Sequence, residues 1–243
     1  DWSGTMNLTE PQAGSDVGSL KTVAKELNDG TFEISGQKIY ISWGDHNLTE
    51  NICHLVLARL PDGLPGSKGI SLFIVPKFLA DKNNNYTIKN GVNVISLEKK
   101  MGLNGSPTAT INYENAKGWI VGEPHHGLNA MFTMMNNARL GVGVQGLSQS
   151  EVAFQKALNY AKTRKQGKSI NDKPLGSIID HADVRRNLMT MRCLTDVSRS
   201  ICLDTAISLD LWATTKKTFW RKKAEFLTPI AKAFSTDSGC NVA

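Results

Sequence analysis

The chain has 243 residues, 40% of them hydrophobic, and a formal net charge of +6 at pH 7, which suits one large or two modest globular domains. No run approaches the roughly 18 consecutive apolar residues of a membrane-spanning helix, and no basic region followed by an apolar stretch marks a secretory signal. Because the chain begins at Asp1 rather than at methionine, we expect it to be a piece of a longer protein.

The positive charge suggests a polyanionic partner, either nucleic acid or a phosphate-bearing cofactor. Most of it lies at residues 99–100, 162–168 and 216–223. Charge runs of this kind usually form a solvated face, so specific nucleic-acid binding is not favoured.

Four widely spaced cysteines are also present: Cys53, Cys193, Cys202 and Cys240. They predict reduced, mostly buried thiols in a cytoplasmic or organellar matrix compartment.

The first feature in chain order is a polar loop at residues 8–16, which reads Leu-Thr-Glu-Pro-Gln-Ala-Gly-Ser-Asp. Pro11 presets one φ angle, Gly14 allows a left-handed or crowded backbone, and the short polar side chains can bond locally. Such a loop can direct several N–H and O–H groups at one ligand. The same composition is also typical of an ordinary turn before a strand.

Strand patterns follow the loop. Alternating apolar and polar residues predict a hairpin of residues 21–27 and 31–42, joined by the turn Asn28-Asp29-Gly30. Further strands are predicted at residues 51–59, 69–77, 92–97, 108–113 and 119–121. Repeated short strands separated by Gly, Pro and Asn indicate a compact antiparallel β-sandwich or β-barrel over residues 1–123.

After residue 123 apolar residues recur at separations of three and four, which predicts helices. The predicted helices cover residues 127–164, 178–213 and 219–234, with Ser177 or Asp180 capping the second and a kink at Pro229 in the third. Long antiparallel helices bury their apolar stripes against one another in a bundle. The predicted fold class is therefore α+β, with a β-domain followed by a truncated helical bundle over residues 124–243.

The segment from Gly141 to Gly146 fits the Gly-x-Gly-x-x-Gly pattern of dinucleotide-binding proteins. That fingerprint works only at a strand-to-helix turn within a βαβ unit, and here a helical pattern precedes it. We reject the dinucleotide interpretation. Three glycines inside a helix cost roughly 1 kcal/mol each, so we expect close approach by another helix or by a ligand to offset them.

No motif of covalent or metal-dependent catalysis is visible. The histidines lack carboxylate or cysteine partners at a recognised ligand spacing, and no Ser/His/Asp signature or phosphate-binding loop occurs. These histidines are His46, His54, His125, His126 and His181. Judged by its own residues, the chain is a binding scaffold.

Two segments together resemble a known family. Thr-Glu-Pro-x-Ala-Gly-Ser-Asp, from Thr9 to Asp16, and Gly-Gln-Lys-Ile-Tyr-Ile-Ser-Trp-Gly, at residues 36–44, are similar to the paired flavin-contacting segments of the acyl-CoA dehydrogenases. Residues 2–6 and Ser106-Pro107-Thr108 most resemble the branch that contains the 3-methylmercaptopropionyl-CoA dehydrogenases.

The resemblance implies FAD as cofactor and an acyl-CoA thioester as substrate. In that family a carboxylate removes the α-proton while the β-hydrogen passes as hydride to flavin N5, and an electron-transfer flavoprotein accepts the electrons. It also implies a homodimer or homotetramer acting in fatty acid β-oxidation. Two relatives with this fold remain as alternatives: an acyl-CoA oxidase, and an alkylation-response flavoprotein with a nucleic-acid-binding role.

The resemblance also implies roles for particular residues. Tyr40 stands where the family commonly has an aromatic residue near the ring, Ser42 replaces a threonine near N5, and Arg164 resembles an arginine that reaches a neighbouring subunit's FAD. The implied flavin contacts are Leu8, Thr9, Gly14, Ser15, Tyr40, Ser42, Arg164 and Gln166. The implied substrate contacts are Ser67, Lys68, Asn136 and Arg139.

The sequence departs from the family at the catalytic base. The glutamate of most members lies in a later helical segment, and no such segment occurs before Ala243. A minority position on the first long helix is Ala138 here. We therefore expect the base beyond Ala243, an N-terminal helical domain missing from this chain, and no catalysis by the chain alone.

Overall fold

A computed structural model describes residues 1–168 and 175–243. The chain forms two compact units, Asp1–Thr133 and Met134–Ala243, and each is described by itself. The strands are β1 Trp2–Asn7, β2 Val23–Glu26, β3 Phe32–Ser42, β4 Asn51–Arg59, β5 Ile70–Pro76, β6 Phe78–Ala80, β7 Tyr86–Lys89, β8 Val92–Leu97 and β9 Thr108–Val121. The helices are α1 Gly127–Thr163, α2 Ala182–Thr215 and α3 Thr218–Val242.

The main sheet of the first unit closes on itself. Pairings run from β4 through β2, β3, β9 and β5 and return to β4, while β1 extends β4 and β8 extends β9. This is the predicted α+β fold class with a barrel-like β-domain. The predicted hairpin is present as β2 and β3, but β1 and β2 each pair with β4 in parallel, so the sheet is not purely antiparallel.

Two differences from the predicted strands have local causes. β9 is one continuous strand where the sequence predicts two, because Asn115 adopts a left-handed φ of 50° and absorbs an extra residue opposite β3 between Ile34 and Gly36. β1, β6 and β7 were not predicted. β7 is exposed along its whole length and β6 is only partly buried, so neither carries a clear apolar alternation.

The sheet encloses the core of the first unit. The Phe32 and Phe73 rings pack with centroids 5.1 Å apart, and Tyr113 is 1% exposed. The buried members of this cluster are Ala24, Phe32, Ile34, Ile41, Val56, Ala58, Phe73, Val75, Val92, Ala109, Ile111, Tyr113 and Ala116. The core holds β3 and β9 rigidly, and the loops that follow them are therefore well supported.

Small residues, many of them polar, make up most of the buried stripes of α2 and α3. On α2 they include Thr195, Ser198 and Thr205, and on α3 Thr228 and Ser235. The threonine hydroxyls donate to the carbonyl four residues earlier, for example Thr205 Oγ1 to Ile201 O at 2.7 Å, which satisfies them without a partner on the other helix. Small side chains allow the two helices to approach closely.

These stripes explain the errors in the helix predictions. The predicted third helix stops at residue 234, whereas α3 runs to Val242 and includes Pro229. Its buried residues continue at helical spacing beyond 234, but they are small until Val242 and give no apolar signal. The predicted cap of the second helix is also wrong. Residues 178–180 form a separate 3₁₀ turn, and α2 begins after His181, whose side chain makes no capping hydrogen bond.

The glycine pattern in α1 is located in the middle of that helix, which agrees with rejecting the dinucleotide fingerprint. A Cβ built on Gly146 would lie 2.3 Å from the Ser235 carbonyl oxygen of α3, and one on Gly143 would lie 3.0 Å from the Ala231 carbonyl oxygen. Gly141 has open space around it. The expected close approach by another helix is therefore present at two of the three glycines.

All four cysteines carry free thiols, but only Cys202 is buried, while Cys53 is half-buried and Cys193 and Cys240 are exposed. The prediction of mostly buried thiols is wrong. Nine residues separate Cys193 from Cys202, and at about 100° per residue this places them on opposite sides of α2.

Within residues 1–168 and 175–243, no helix has both the length and the apolar character that crossing a bilayer demands.

The glycine contacts generate a prediction about stability. Gly146→Ala should lower the free energy of unfolding by about 2 kcal/mol, because the new methyl group would collide with the backbone of α3. Gly141→Ala is the matched control and should raise it by up to about 1 kcal/mol, because only the helix propensity changes. Urea unfolding followed by circular dichroism measures both, and equal effects would contradict the packing described.

Candidate functional site

The polar loop at residues 8–16 contains a tight turn. Glu10 N donates to Ala13 O, and Ala13 N donates to Glu10 O, both at 3.0 Å, with Pro11 and Gln12 between them. Gly14 and Ser15 follow the turn and are exposed. The expected left-handed or crowded backbone at Gly14 is wrong, because its φ is not in the left-handed region and a Cβ there would contact nothing within 4 Å. Gly14 instead leaves open space beside the loop.

A buried ion pair fixes this loop to β3. Lys38 Nζ lies 2.9 Å from Glu10 Oε1, and the two side chains are 0% and 3% exposed. The same ammonium group donates to the Leu8 carbonyl at 2.9 Å. Neither residue was predicted to be buried, because a lysine in a strand and a glutamate in a loop are usually solvated.

Glu10 is a hub of hydrogen bonds. Besides Lys38, its carboxylate accepts from Lys21 N at 2.6 Å, Thr22 N at 3.0 Å, Thr22 Oγ1 at 2.5 Å and Gln12 Nε2 at 2.7 Å. Burial by itself would raise the pKa of the Glu10 carboxyl, but the Lys38 charge and these donors lower it to about 2. Glu10 is therefore a carboxylate at neutral pH, and its charge holds three separate segments together.

The loop then meets a bulge in β3. Ile39 N donates to Thr9 O at 2.9 Å, and the register with β9 shifts between Lys38 and Ile41. Within this bulge Tyr40 has a left-handed φ of 61° and is 62% exposed. A bulge re-aims side chains, and here it leaves the Tyr40 ring exposed to solvent one residue after Ile39, which is bonded to Thr9.

The end of β3 is fixed as well. Ser42 pairs with Thr108 of β9, and the next residue, Trp43, donates its N–H to Pro107 O at 2.8 Å. Of the residues predicted to contact flavin, Leu8, Thr9, Tyr40 and Ser42 therefore lie at one end of β3. Their hydroxyl, backbone and aromatic groups are the kind that bind a planar polar ring.

Arg59 joins residues 18–20, which follow the polar loop, to a second loop. Its guanidinium donates to Leu20 O at 3.1 Å, Leu64 O at 3.0 Å and Gly66 O at 2.8 Å, and also to Gly18 O. The planar fork of an arginine suits this set of carbonyls. The second loop carries Ser67 and Lys68, the predicted substrate contacts of the first unit, so both loops are fixed to one strand.

The remaining predicted residues lie in the second unit. Arg139 Nη1 donates to Asn136 Oδ1 at 3.3 Å, one helical turn earlier. Arg164 Nη2 donates to Gln166 Oε1 at 3.4 Å, just after α1, and Arg164 O accepts from Ile178 N at 2.9 Å. Both arginines are thus held by neighbouring amide groups.

A buried series of hydrogen-bonded side chains at β1 was also not predicted from the sequence. His54 Nδ1 and Thr5 Oγ1 are 2.7 Å apart, Asn7 Nδ2 donates to Thr5 Oγ1, and Tyr113 Oη donates to Asn7 Oδ1 at 3.0 Å. Burial lowers the pKa of His54 to about 4, so its ring is neutral at pH 7. These hydrogen bonds position the last residues of β1, which lead directly into Leu8.

The part of the chain that the structure describes contains no group of three or more His, Cys, Asp or Glu residues placed to hold a metal ion. The arrangement at β3 therefore consists of hydroxyl, backbone and aromatic groups supported by buried charge. It can bind and orient a ligand.

Comparison with known proteins identifies the ligand class. Residues 5–116 match the acyl-CoA dehydrogenase middle domain, and residues 125–243 match the acyl-CoA dehydrogenase C-terminal domain. The chain belongs to the acyl-CoA dehydrogenase family. Members of this family are FAD-dependent oxidoreductases. The paired segments around Thr9 and Tyr40 are therefore candidates for contacting FAD.

The relatives that this acyl-CoA dehydrogenase chain resembles in sequence are longer proteins, and the chain spans less than half of each. Over its whole length the chain is 47% identical to the 3-methylmercaptopropionyl-CoA dehydrogenase of Ruegeria pomeroyi and spans 42% of that protein. Over 86% of its length it is 44% identical to the broad-specificity linear acyl-CoA dehydrogenase FadE5 of Mycobacterium tuberculosis, spanning 36% of it. The fold is shared with Caenorhabditis elegans ACDH-11 in complex with C11-CoA, with a TM-score of 0.81 at 23% identity, covering 99% of this chain and 39% of that one.

The ion pair generates a prediction about stability. Glu10→Gln and Lys38→Met should each lower the free energy of unfolding by about 3–5 kcal/mol, because each leaves a buried group without its partner. The double variant should lose less than the sum of the single losses by at least about 1 kcal/mol. Asp29→Asn is the matched control, because its pair with Lys117 is exposed and should cost less than about 1 kcal/mol. Additive losses in urea unfolding would contradict the pairing.

The low pKa of Glu10 generates a second prediction. Because the folded value of about 2 lies below the ordinary 4.5, the stabilisation is complete above pH 4.5 and is lost as the pH falls toward 2. The difference in unfolding free energy between wild type and Glu10→Gln should therefore shrink by roughly 1.4 kcal/mol for each unit of the pKa difference. Subtracting the unfolding free energy of the variant from that of the wild type cancels the acid sensitivity that comes from His54, because both proteins contain this residue. A difference that stays constant from pH 7 to pH 3 would refute the assignment.

Proposed function

We propose that the protein containing this chain is an FAD-dependent acyl-CoA dehydrogenase that removes hydrogen from the α and β carbons of an acyl-CoA thioester. One observation carries the proposal: two segments similar to the family's flavin-contacting segments meet at one end of β3, where Thr9 O accepts from Ile39 N at 2.9 Å. The meeting point is fixed by the buried Glu10 and Lys38 pair.

The residues present fit a flavin. Leu8 and Thr9 offer backbone groups and a hydroxyl, Tyr40 offers an exposed ring, and Ser42 offers a second hydroxyl where a threonine is usual. Open space at Gly14 allows a phosphate-bearing group to approach the backbone of the loop. When bound, FAD supplies the acceptor for two electrons, and the protein binds and orients it.

The chain's own residues would also orient the substrate. Ser67 and Lys68 lie on the loop held by Arg59, and Asn136 and Arg139 lie together on α1; we propose that these four face the CoA side of the substrate. Hydrogen bonds to the thioester carbonyl would acidify the α-carbon by stabilising developing negative charge. We propose that the carboxylate base that takes the α-proton is outside these 243 residues, since Ala138 occupies the minority position.

We also propose an oligomeric state, an electron acceptor and a metabolic role for the protein. Arg164, held by Gln166, would reach the FAD of a neighbouring subunit in a homodimer or homotetramer, because arginine binds pyrophosphate with a fixed fork of donors. An electron-transfer flavoprotein would accept the electrons, and the reaction would belong to fatty acid β-oxidation, in the cytoplasm of a bacterium or in the mitochondrial matrix of a eukaryote. The clustering of relatives among acyl-CoA dehydrogenases supports this placement.

The test uses the complete protein that contains this chain. It should purify yellow or take up FAD, and adding an acyl-CoA without oxygen should bleach the flavin absorbance near 450 nm. Ser42→Ala should weaken FAD binding by about tenfold, because a hydroxyl donor is lost. Equilibrium dialysis with FAD measures the affinity.

Ser96→Ala is the matched control, because it removes an exposed hydroxyl from β8 and should leave FAD affinity unchanged. A colourless protein that cannot be reconstituted with FAD would contradict the proposal. Rapid reoxidation of the reduced flavin by air, in preference to an electron-transfer flavoprotein, would instead indicate an acyl-CoA oxidase.

A further inference from the structure

Two peptide groups flank Thr9, and three of their four polar groups are hydrogen-bonded. Lys38 Nζ donates to Leu8 O at 2.9 Å. Thr9 O accepts from Ile39 N at 2.9 Å, and the Glu10 N–H donates across the tight turn at 3.0 Å. The fourth group, the Thr9 N–H, forms no hydrogen bond within residues 1–168 and 175–243. The protein thus holds this segment rigidly and leaves one donor available to a ligand.

The available N–H belongs to the same peptide as the carbonyl that Lys38 contacts. This peptide is trans, so the Leu8 C=O and the Thr9 N–H point in opposite directions from one planar group. The ammonium group therefore lies on one side of the peptide, and the N–H is directed to the other. Lys38 is 0% exposed and Thr9 is half-buried, so a ligand can reach this peptide only from the side of Thr9.

Lys38 is a cation at neutral pH. Burial lowers the pKa of its ammonium group to about 8, while the charge of the Glu10 carboxylate opposes the shift. Hydrogen bonds in series polarise one another, most strongly away from water, and a charged donor has a larger effect than a neutral one. The ammonium at Leu8 O therefore makes the N–H at the other end of the same peptide a stronger donor.

We propose that Lys38 is a positioning residue that raises the reduction potential of the flavin by polarising the Leu8–Thr9 peptide, whose available N–H donates to the isoalloxazine ring. The ring becomes more negative when it is reduced, and a fixed donor directed at developing negative charge stabilises that charge. This inference rests on the proposed function, and it gives the buried ion pair an electronic role in addition to fixing the loop.

The test uses the complete protein and measures two quantities: the flavin midpoint potential by spectroelectrochemistry, and the affinity for oxidised FAD by equilibrium dialysis. In Lys38→Met the preference for reduced over oxidised flavin should fall by about tenfold, which lowers a two-electron potential by about 30 mV. The double variant Glu10→Gln/Lys38→Met should show the same fall. It removes the ammonium without leaving a buried, unpaired carboxylate, so it is the variant to use if the single substitution prevents folding.

Lys117→Met is the matched control. Lys117 also pairs with a carboxylate, that of Asp29. It lies opposite Glu33 near the start of β3, whereas Ser42 is at the other end of that strand. Removing this lysine should leave the flavin potential unchanged.

A purely structural role for Lys38 would weaken the binding of oxidised and reduced FAD equally. The potential would then stay at the wild-type value, and that result would overturn the inference. A folded double variant that no longer retains FAD would also overturn it, because the Thr9 N–H remains present as a donor. A wild type that never takes up FAD would contradict the proposed function itself, whereas equal potentials in the FAD-loaded wild type and variants would contradict only the role of Lys38.

Discussion

The buried contact between Glu10 and Lys38 is the constraint on which the candidate site depends. Two charges removed from water are costly, and the cost is offset only when the remaining hydrogen-bonding capacity is also satisfied. Glu10 meets this condition with backbone and side-chain donors from residues 12, 21 and 22. The pair therefore ties the polar loop to both strands of the first hairpin.

Fixing the loop in this way determines what the end of β3 can present. Thr9 accepts a hydrogen bond from Ile39 N through its carbonyl, and Tyr40, in the bulge, has an exposed ring between the buried residues Lys38 and Ile41. Arg59 then connects the residues that follow this loop, through Leu20 O, to the segment of Ser67 and Lys68, through Gly66 O.

Most of the fold was predictable because periodicity reports burial. The β2–β3 hairpin was predicted from alternating apolar and polar residues, β4 from a short apolar run at residues 55–58, and α1 from an apolar helical pattern to within one residue of its end. The end of α3 was not predictable, because small hydroxyl residues such as Ser235 are buried there. Of the site, the family motifs predicted the loop and β3, while Glu10 and Lys38 were missed because sequence alone does not show that a charged residue is buried.

A crystal structure of the complete protein with FAD bound would show whether the two polar segments converge on one flavin ring. Thr9 and Ser42 should both lie within hydrogen-bond distance of the isoalloxazine, with Tyr40 beside it and the Glu10–Lys38 pair intact. A flavin bound elsewhere, or Thr9 and Ser42 facing different clefts, would refute the convergence.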